Sequence, residues 1–122
     1  MDERKKRGNR GEDAVAGYLR RRGYRILERQ YRCRYGEIDL IARSLDGTLC
    51  FVEVKTRASS RFSRPCEAVT PAKQQRLRMT AQYYLAYTGE DCPCRFDVAE
   101  VYIDDTKLLA LPAVHYISNA FS

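Results

Sequence analysis

The sequence predicts a mixed α/β domain in which a sheet of four or five strands carries flanking helices, and three observations predict it. Residues 9–22 and 70–87 show helical spacing, each stretch stopped by a glycine. Tyr24–Tyr31, Gly36–Arg57 and Arg95–Ile103 are rich in β-branched and aromatic residues, the composition of strands. Their order of helix, strand, hairpin, helix, strand suits helices layered on one sheet.

At 122 residues the chain reads as one domain, residues 1–122, able to bury about two thirds of its unfolded surface. With 44% hydrophobic and 31% charged residues it is expected to be globular. No apolar run approaches the ~20 residues of a membrane span. The opening M-D-E-R-K-K-R lacks the apolar core of a secretion signal. A cytoplasmic location without a membrane partner is therefore expected. Cysteines at 33, 50, 66, 92 and 94 lack paired C-x-x-C spacing, which argues against a disulfide framework or a structural zinc site. Cys92-Pro93-Cys94 has no second half beyond the distant His115, so free thiols are expected.

The formal charge is +6, and it is unevenly spread. Residues 1–34 hold 12 Lys and Arg against 5 acids, whereas residues 35–122 hold 10 against 11. A basic N-terminal third suits either a surface facing phosphates or a solvated, solubilising face.

Taken in order, residues 1–7 are expected as a mobile basic arm, and a helix follows from Asn9, its N-cap, to Arg22 before Gly23. Glu12 shares a stripe with Val15, Ala16 and Leu19, in the first turn of that helix. It either complements the helix N-terminus or is an acid aimed at a site on the sheet. Tyr24–Tyr31 is the first strand, at or near an edge because of its polar content. Arg29, Arg32 and Arg34 then lead into Gly36, placed to bind phosphates. Ala58–Thr70 is a polar loop. Thr70 caps a second helix with Pro71 at its first position, running to about Tyr87 and stopped by Gly89. Lys73 begins the stripe of Leu77, Ala81, Tyr84 and Leu85, where it either reaches a substrate phosphate or snorkels. Tyr83, Tyr84 and Tyr87 are expected to be core and surface packing and not a stacking platform. Arg95–Ile103 is a strand with Phe96 and Val98 on one side and Ala99, Val101 and Ile103 on the other. Asp97 has no partner in the hairpin and is not assigned to a site. Lys107–Ala113 is read as a last strand, and His115–Phe121 as a short terminal segment with a structural His115.

The hairpin Gly36–Arg57 carries the chemistry. Asp39 stands among Ile38, Leu40 and Ile41, while Glu53 and Lys55 alternate with Phe51, Val52 and Val54. In a strand, alternate residues share a face, so Glu53, Lys55 and Arg57 point the same way as Phe51. A three-residue loop, Leu45–Gly47, places 39 across from 53, whereas a two-residue Asp46-Gly47 turn sends them to opposite faces. The first register is expected. Two facing carboxylates repel unless a cation compensates, and hard oxygen ligands suit Mg²⁺ or Mn²⁺. Lys55 beside them can orient a water or steady a phosphate.

G-E-I-D-L-I-A followed by F-V-E-V-K-T-R resembles the D…E-x-K core of the PD-(D/E)XK nuclease superfamily. More narrowly, the chain resembles the small bacterial YraN-like family of uncharacterised predicted endonucleases, close in plan to archaeal Holliday-junction resolvases. Matching pieces at Gly11-Glu12, Gly23-Tyr24, Lys73, Arg95–Val98 and Asn119–Phe121 extend the likeness over nearly the whole chain. One departure is Ile38, where the superfamily pattern has Pro before the first acid. The resemblance implies a restriction-endonuclease-like core and metal-dependent hydrolysis of phosphodiester bonds, leaving a 5′-phosphate and a 3′-hydroxyl. It further implies Mg²⁺ held by Asp39, Glu53 and the carbonyl of Val54, Glu12 completing or orienting the shell, and Lys55 positioning the attacking water. The implied partner is nucleic acid, DNA first, cut by a homodimer. The competing readings are a catalytically inactive nucleic-acid-binding module on the same fold and an adaptor whose basic arm meets an acidic partner.

Overall fold

The structure is a computed structural model that describes residues 3–57, 69–104 and 111–122. Helix α1 spans Glu3–Arg21, β1 Arg25–Cys33, β2 Gly36–Arg43, β3 Leu49–Arg57, α2 Pro71–Thr88, β4 Cys94–Tyr102 and β5 Ala113–Phe121. Two expectations change. Helix α1 already includes residues 3–7, read from sequence as an arm, and Asn9 lies inside it and is no N-cap. A run of charged residues without apolar periodicity hid that extension. The last strand is Ala113–Phe121 and includes the segment read as terminal; most of Lys107–Ala113 and of the loop Ala58–Thr70 lies outside the described residues.

The five strands lie in chain order, β1-β2-β3-β4-β5. All neighbours are antiparallel except β3 and β4, which run parallel because α2 crosses between them. Helix α1 covers one face, Val15 and Leu19 packing with Leu40, Ala42, Cys50, Val52, Ala99 and Val101. Helix α2 covers the other, Leu77, Ala81 and Tyr84 packing with Ile41, Leu49, Phe51 and Val98. Burial on both faces explains why the first half of β3, Leu49–Val52, is an unbroken apolar run. The β4 alternation is as expected, with Phe96 and Val98 on the α2 side and Ala99, Val101 and Ile103 on the α1 side. Helix α2 has the caps its sequence announces: the Thr70 side chain accepts from the Lys73 amide at 3.2 Å, and Gly89 closes it at φ 73°.

Asp97, fully buried on β4, ties β5 to the sheet. It accepts from Arg95 Nε at 3.1 Å, the Tyr116 hydroxyl at 2.5 Å and the Asn119 amide at 2.8 Å. Those bonds satisfy a charge that would otherwise be costly to bury, and they account for Asp97 without any role at the hairpin. Among the described residues, no helix is long and apolar enough to cross a membrane.

Candidate active site

The β2–β3 turn decides the register. The Ser44 amide donates to the Thr48 carbonyl at 2.9 Å and the Gly47 amide to the Ser44 carbonyl at 3.0 Å, with Gly47 at φ 90°. This is the three-residue loop, and it pairs Ile41 with Phe51 and Leu40 with Val52. There the β2–β3 ladder stops, although β2 stays paired with β1 to Gly36 and β3 with β4 to Arg57. The sheet therefore forks at Asp39. Ile38 and Ile41 both belong to the α2-side core and Leu40 to the α1-side core, so side-chain alternation breaks at the same point.

In that fork Asp39 Oδ2 accepts the Val54 amide at 2.7 Å, a bond that takes the place of the next ladder rung. Its carboxyl also meets Glu53, which is almost fully buried. Burial, and then Glu53, push the Asp39 carboxyl up to about 8. Lys73, from the first turn of α2, places its Nζ 2.8 Å from Glu53 Oε2, and that bond holds the Lys73 ammonium above its ordinary pKa. Asp39, Glu53, Val54, Lys55, Arg57 and Lys73 line one depression together. Lys73 therefore lies in this depression, its ammonium bonded to Glu53.

A second depression opens on the α1 side of the fork, lined by Glu12, Gln30, Arg32, Asp39, Val54 and Thr56, with Asn9 at its edge. Glu12 is buried, and since α1 begins at Glu3 it lies well beyond the first turn, so the N-terminal dipole does not explain it. Instead Arg29 Nε donates to Glu12 Oε1 at 2.9 Å and Gln30 Nε2 to Glu12 Oε2 at 3.2 Å. Arg29 also binds Asp13 at 2.6 Å, and these two acids raise its guanidinium pKa. Arg29 thus bridges Glu12 and Asp13. Among the described residues no three His, Cys, Asp or Glu side chains group closely enough to hold a metal, so Glu12 does not join Asp39 and Glu53 in a three-acid cage. Arg32 lines the same depression and pairs with Glu37 at 3.1 Å. Arg34 lies apart, against the ring of Tyr35 at the β1–β2 turn.

Sequence reasoning missed Gln30, Asn9 and Thr56 as lining residues. Thr56 had a signal, since alternation places it on the face opposite Lys55. Gln30 had none: it adopts φ 52°, outside the strand region, and this turns its amide toward Glu12.

A mixed five-stranded sheet between two helices, forked over a half-buried Asp39 and a buried Glu53 with lysines at hand, defines a small α/β protein with a carboxylate-centred polar site. The chain belongs to the uncharacterised protein family UPF0102, whose pattern matches residues 11–101 and which is the YraN-like family its motifs resemble. It is 55% identical over 117 residues to a UPF0102 protein of Chlorobium chlorochromatii, covering 93% of this chain and 89% of that one. A UPF0102 protein of Alkaliphilus metalliredigens is 48% identical, covering 93% of this chain and 96% of its own. Among solved structures, Pyrococcus furiosus SfsA in complex with Ca²⁺ matches 86% of this chain and 58% of its own, at 15% identity and a TM-score of 0.36. That likeness is too distant to carry an argument.

Proposed function

We propose that this protein is a Mg²⁺- or Mn²⁺-dependent endonuclease that hydrolyses phosphodiester bonds in DNA, branched DNA included. The observation that carries this reading is the meeting of Asp39 and Glu53 at the fork, two acids from antiparallel strands beside Lys55 and Lys73. The donor set fits a hard divalent ion, because carboxyl groups buried together keep a proton at neutral pH unless a cation replaces it. Asp39, Glu53 and the Val54 carbonyl would hold the ion. When bound, such an ion lowers the pKa of water and offsets charge developing on a phosphate.

The chain's own groups do the rest. Lys55 orients the attacking water, and Lys73 holds the Glu53 side chain turned into the site. Glu12, pinned by Arg29 and Gln30, orients the site from the α1 side. Arg57 and Arg32 flank the fork, where guanidinium forks suit phosphate oxygens. The products are a 5′-phosphate and a 3′-hydroxyl, and a homodimer would pair two cuts. A second reading, an inactive nucleic-acid-binding module, draws on the Lys73–Glu53 bridge, which satisfies one acid without any ion.

Cleavage of branched and single-stranded DNA with Mg²⁺ or Mn²⁺ separates the two. Asp39→Ala and Lys55→Ala are each expected to lower the rate by about 100-fold or more while leaving DNA bound. Unchanged cleavage in both variants overturns the nuclease reading, and a wild-type protein that binds DNA without cutting it favours the inactive module.

A further inference from the structure

One stripe of α2 leads away from the acidic pair. Lys73, Arg76, Thr80, Tyr83 and Tyr87 recur at every third or fourth position, so they share a face of the helix. Lys73 marks the end at Glu53. Thr80, fully buried, is where the β1–β2 turn rests on the helix: a Cβ on Gly36 would lie 3.2 Å from Thr80 Oγ1 and 3.7 Å from Arg76 Cβ. That close approach brings Tyr35 to Tyr83, ring centroids 6.3 Å apart at 62°. Arg34 lies over the Tyr35 ring, 5.1 Å from its centroid, and donates to the Tyr35 hydroxyl at 3.0 Å. Tyr83 is 44% exposed and Tyr87 79% exposed.

Exposed apolar side chains scattered singly are ordinary. Helical spacing alone marked Tyr83 and Tyr87 as packing, but Tyr35 and Arg34, distant in sequence, join Tyr83 in one surface with cations before and beside the rings. We propose that the exposed residues of this stripe, Arg76, Tyr83 and Tyr87, together with Arg34 and Tyr35 of the turn that covers Thr80, form the binding track for a single-stranded segment of nucleic acid leading from the acidic site. A single strand offers what the track can use, phosphates for Lys73, Arg76 and Arg34 and free base faces for the tyrosines. A duplex keeps its base faces stacked and offers the phosphates alone. At 1.5 Å of rise per residue the track runs about 15 Å from Lys73 to Tyr83, enough for a few nucleotides. The nearby acids do not interrupt it. Glu37 pairs with Arg32, and Glu90, which with Glu28 acts on Tyr84 at the far end of α2, pairs with Arg43.

The inference rests on the nuclease reading only for where the strand leads; binding itself is measured without metal. Fluorescence anisotropy in EDTA compares a labelled oligothymidylate with a duplex of equal length. Tyr83→Ala and Tyr35→Ala are expected to weaken the single strand about 10-fold and the duplex less than twofold, with Tyr83→Phe near wild type. Because Tyr83 is exposed, its variants should melt with the wild type. Equal single-strand affinity in both Ala variants, equal losses on both probes, or no wild-type binding to oligothymidylate overturns the track. If cleavage depends on Asp39 but single-strand binding ignores Tyr83, the track falls and the nuclease stands. If binding depends on Tyr83 in a protein that never cuts, the track stands and the nuclease falls.

Discussion

Asp39 shows how one residue sets the behaviour of the fork. Burial, and then Glu53, push its carboxyl up to about 8 from an ordinary 3.8, so between those values the native protein holds a proton that the unfolded chain releases. The cost is absent below pH ~4, grows as pH rises and levels off above pH ~8. In metal-free buffer, stability should therefore fall across that window, and Asp39→Asn should flatten the fall and be the more stable protein at pH 9 by about 1 kcal/mol or more. Thermal melting against pH checks this; parallel curves for the two proteins would refute it. Mn²⁺ or Mg²⁺ at about 100 times its Kd should then raise wild-type stability by about 2.7 kcal/mol and leave Asp39→Asn unmoved. The sequence exposed Asp39, Glu53 and Lys55 because charges interrupting β-branched runs need a reason. It concealed Gln30, whose left-handed backbone arises where the β1–β2 pairing skips residue 30 opposite Asp39.

At the scale of elements, the site depends on how closely α1 approaches β3. Gly11 is buried there, and a Cβ on it would collide with the Thr56 hydroxyl and crowd its methyl group at 3.4 Å. Gly11→Ala should push α1 away from the fork, carrying the adjacent Glu12 with it. A loss of about 1–3 kcal/mol is expected, together with slower cleavage. Adding Thr56→Ala should restore much of the stability, because the colliding atoms are then gone; urea unfolding of the single and double variants measures it. Equal stability of Gly11→Ala and wild type would show that α1 adjusts freely. The hairpin, by contrast, was readable from its turn, since Gly47 at φ 90° sets the three-residue loop and with it the register. The start of α1 was not readable, because charged residues ahead of Asn9 carry no apolar stripe.

For the whole molecule, the proposed nucleic-acid binding turns on charge distribution. Twelve Lys and Arg among residues 1–34 supply α1 and β1, and Arg32 from that set lines the α1 side of the fork. Log affinity for DNA should fall linearly with log salt by about 0.9 per phosphate contacted. Arg32→Gln should reduce that slope by about 1. Filter binding across a salt series decides it, and a slope unchanged by the substitution would remove Arg32 from the interface.

By itself the sequence determined α2 with both its caps, the body of α1, the alternation of β3 and β4 and the hairpin that carries Asp39, Glu53 and Lys55, because caps, turn residues and strand period act within a few positions. Only the tertiary structure decided that the sheet forks at Asp39, that Lys73 reaches Glu53, that Arg29 and Gln30 hold Glu12, and that Tyr35 meets Tyr83. Each of those depends on where separate elements cross. No local periodicity records the distance between side chains brought together by packing.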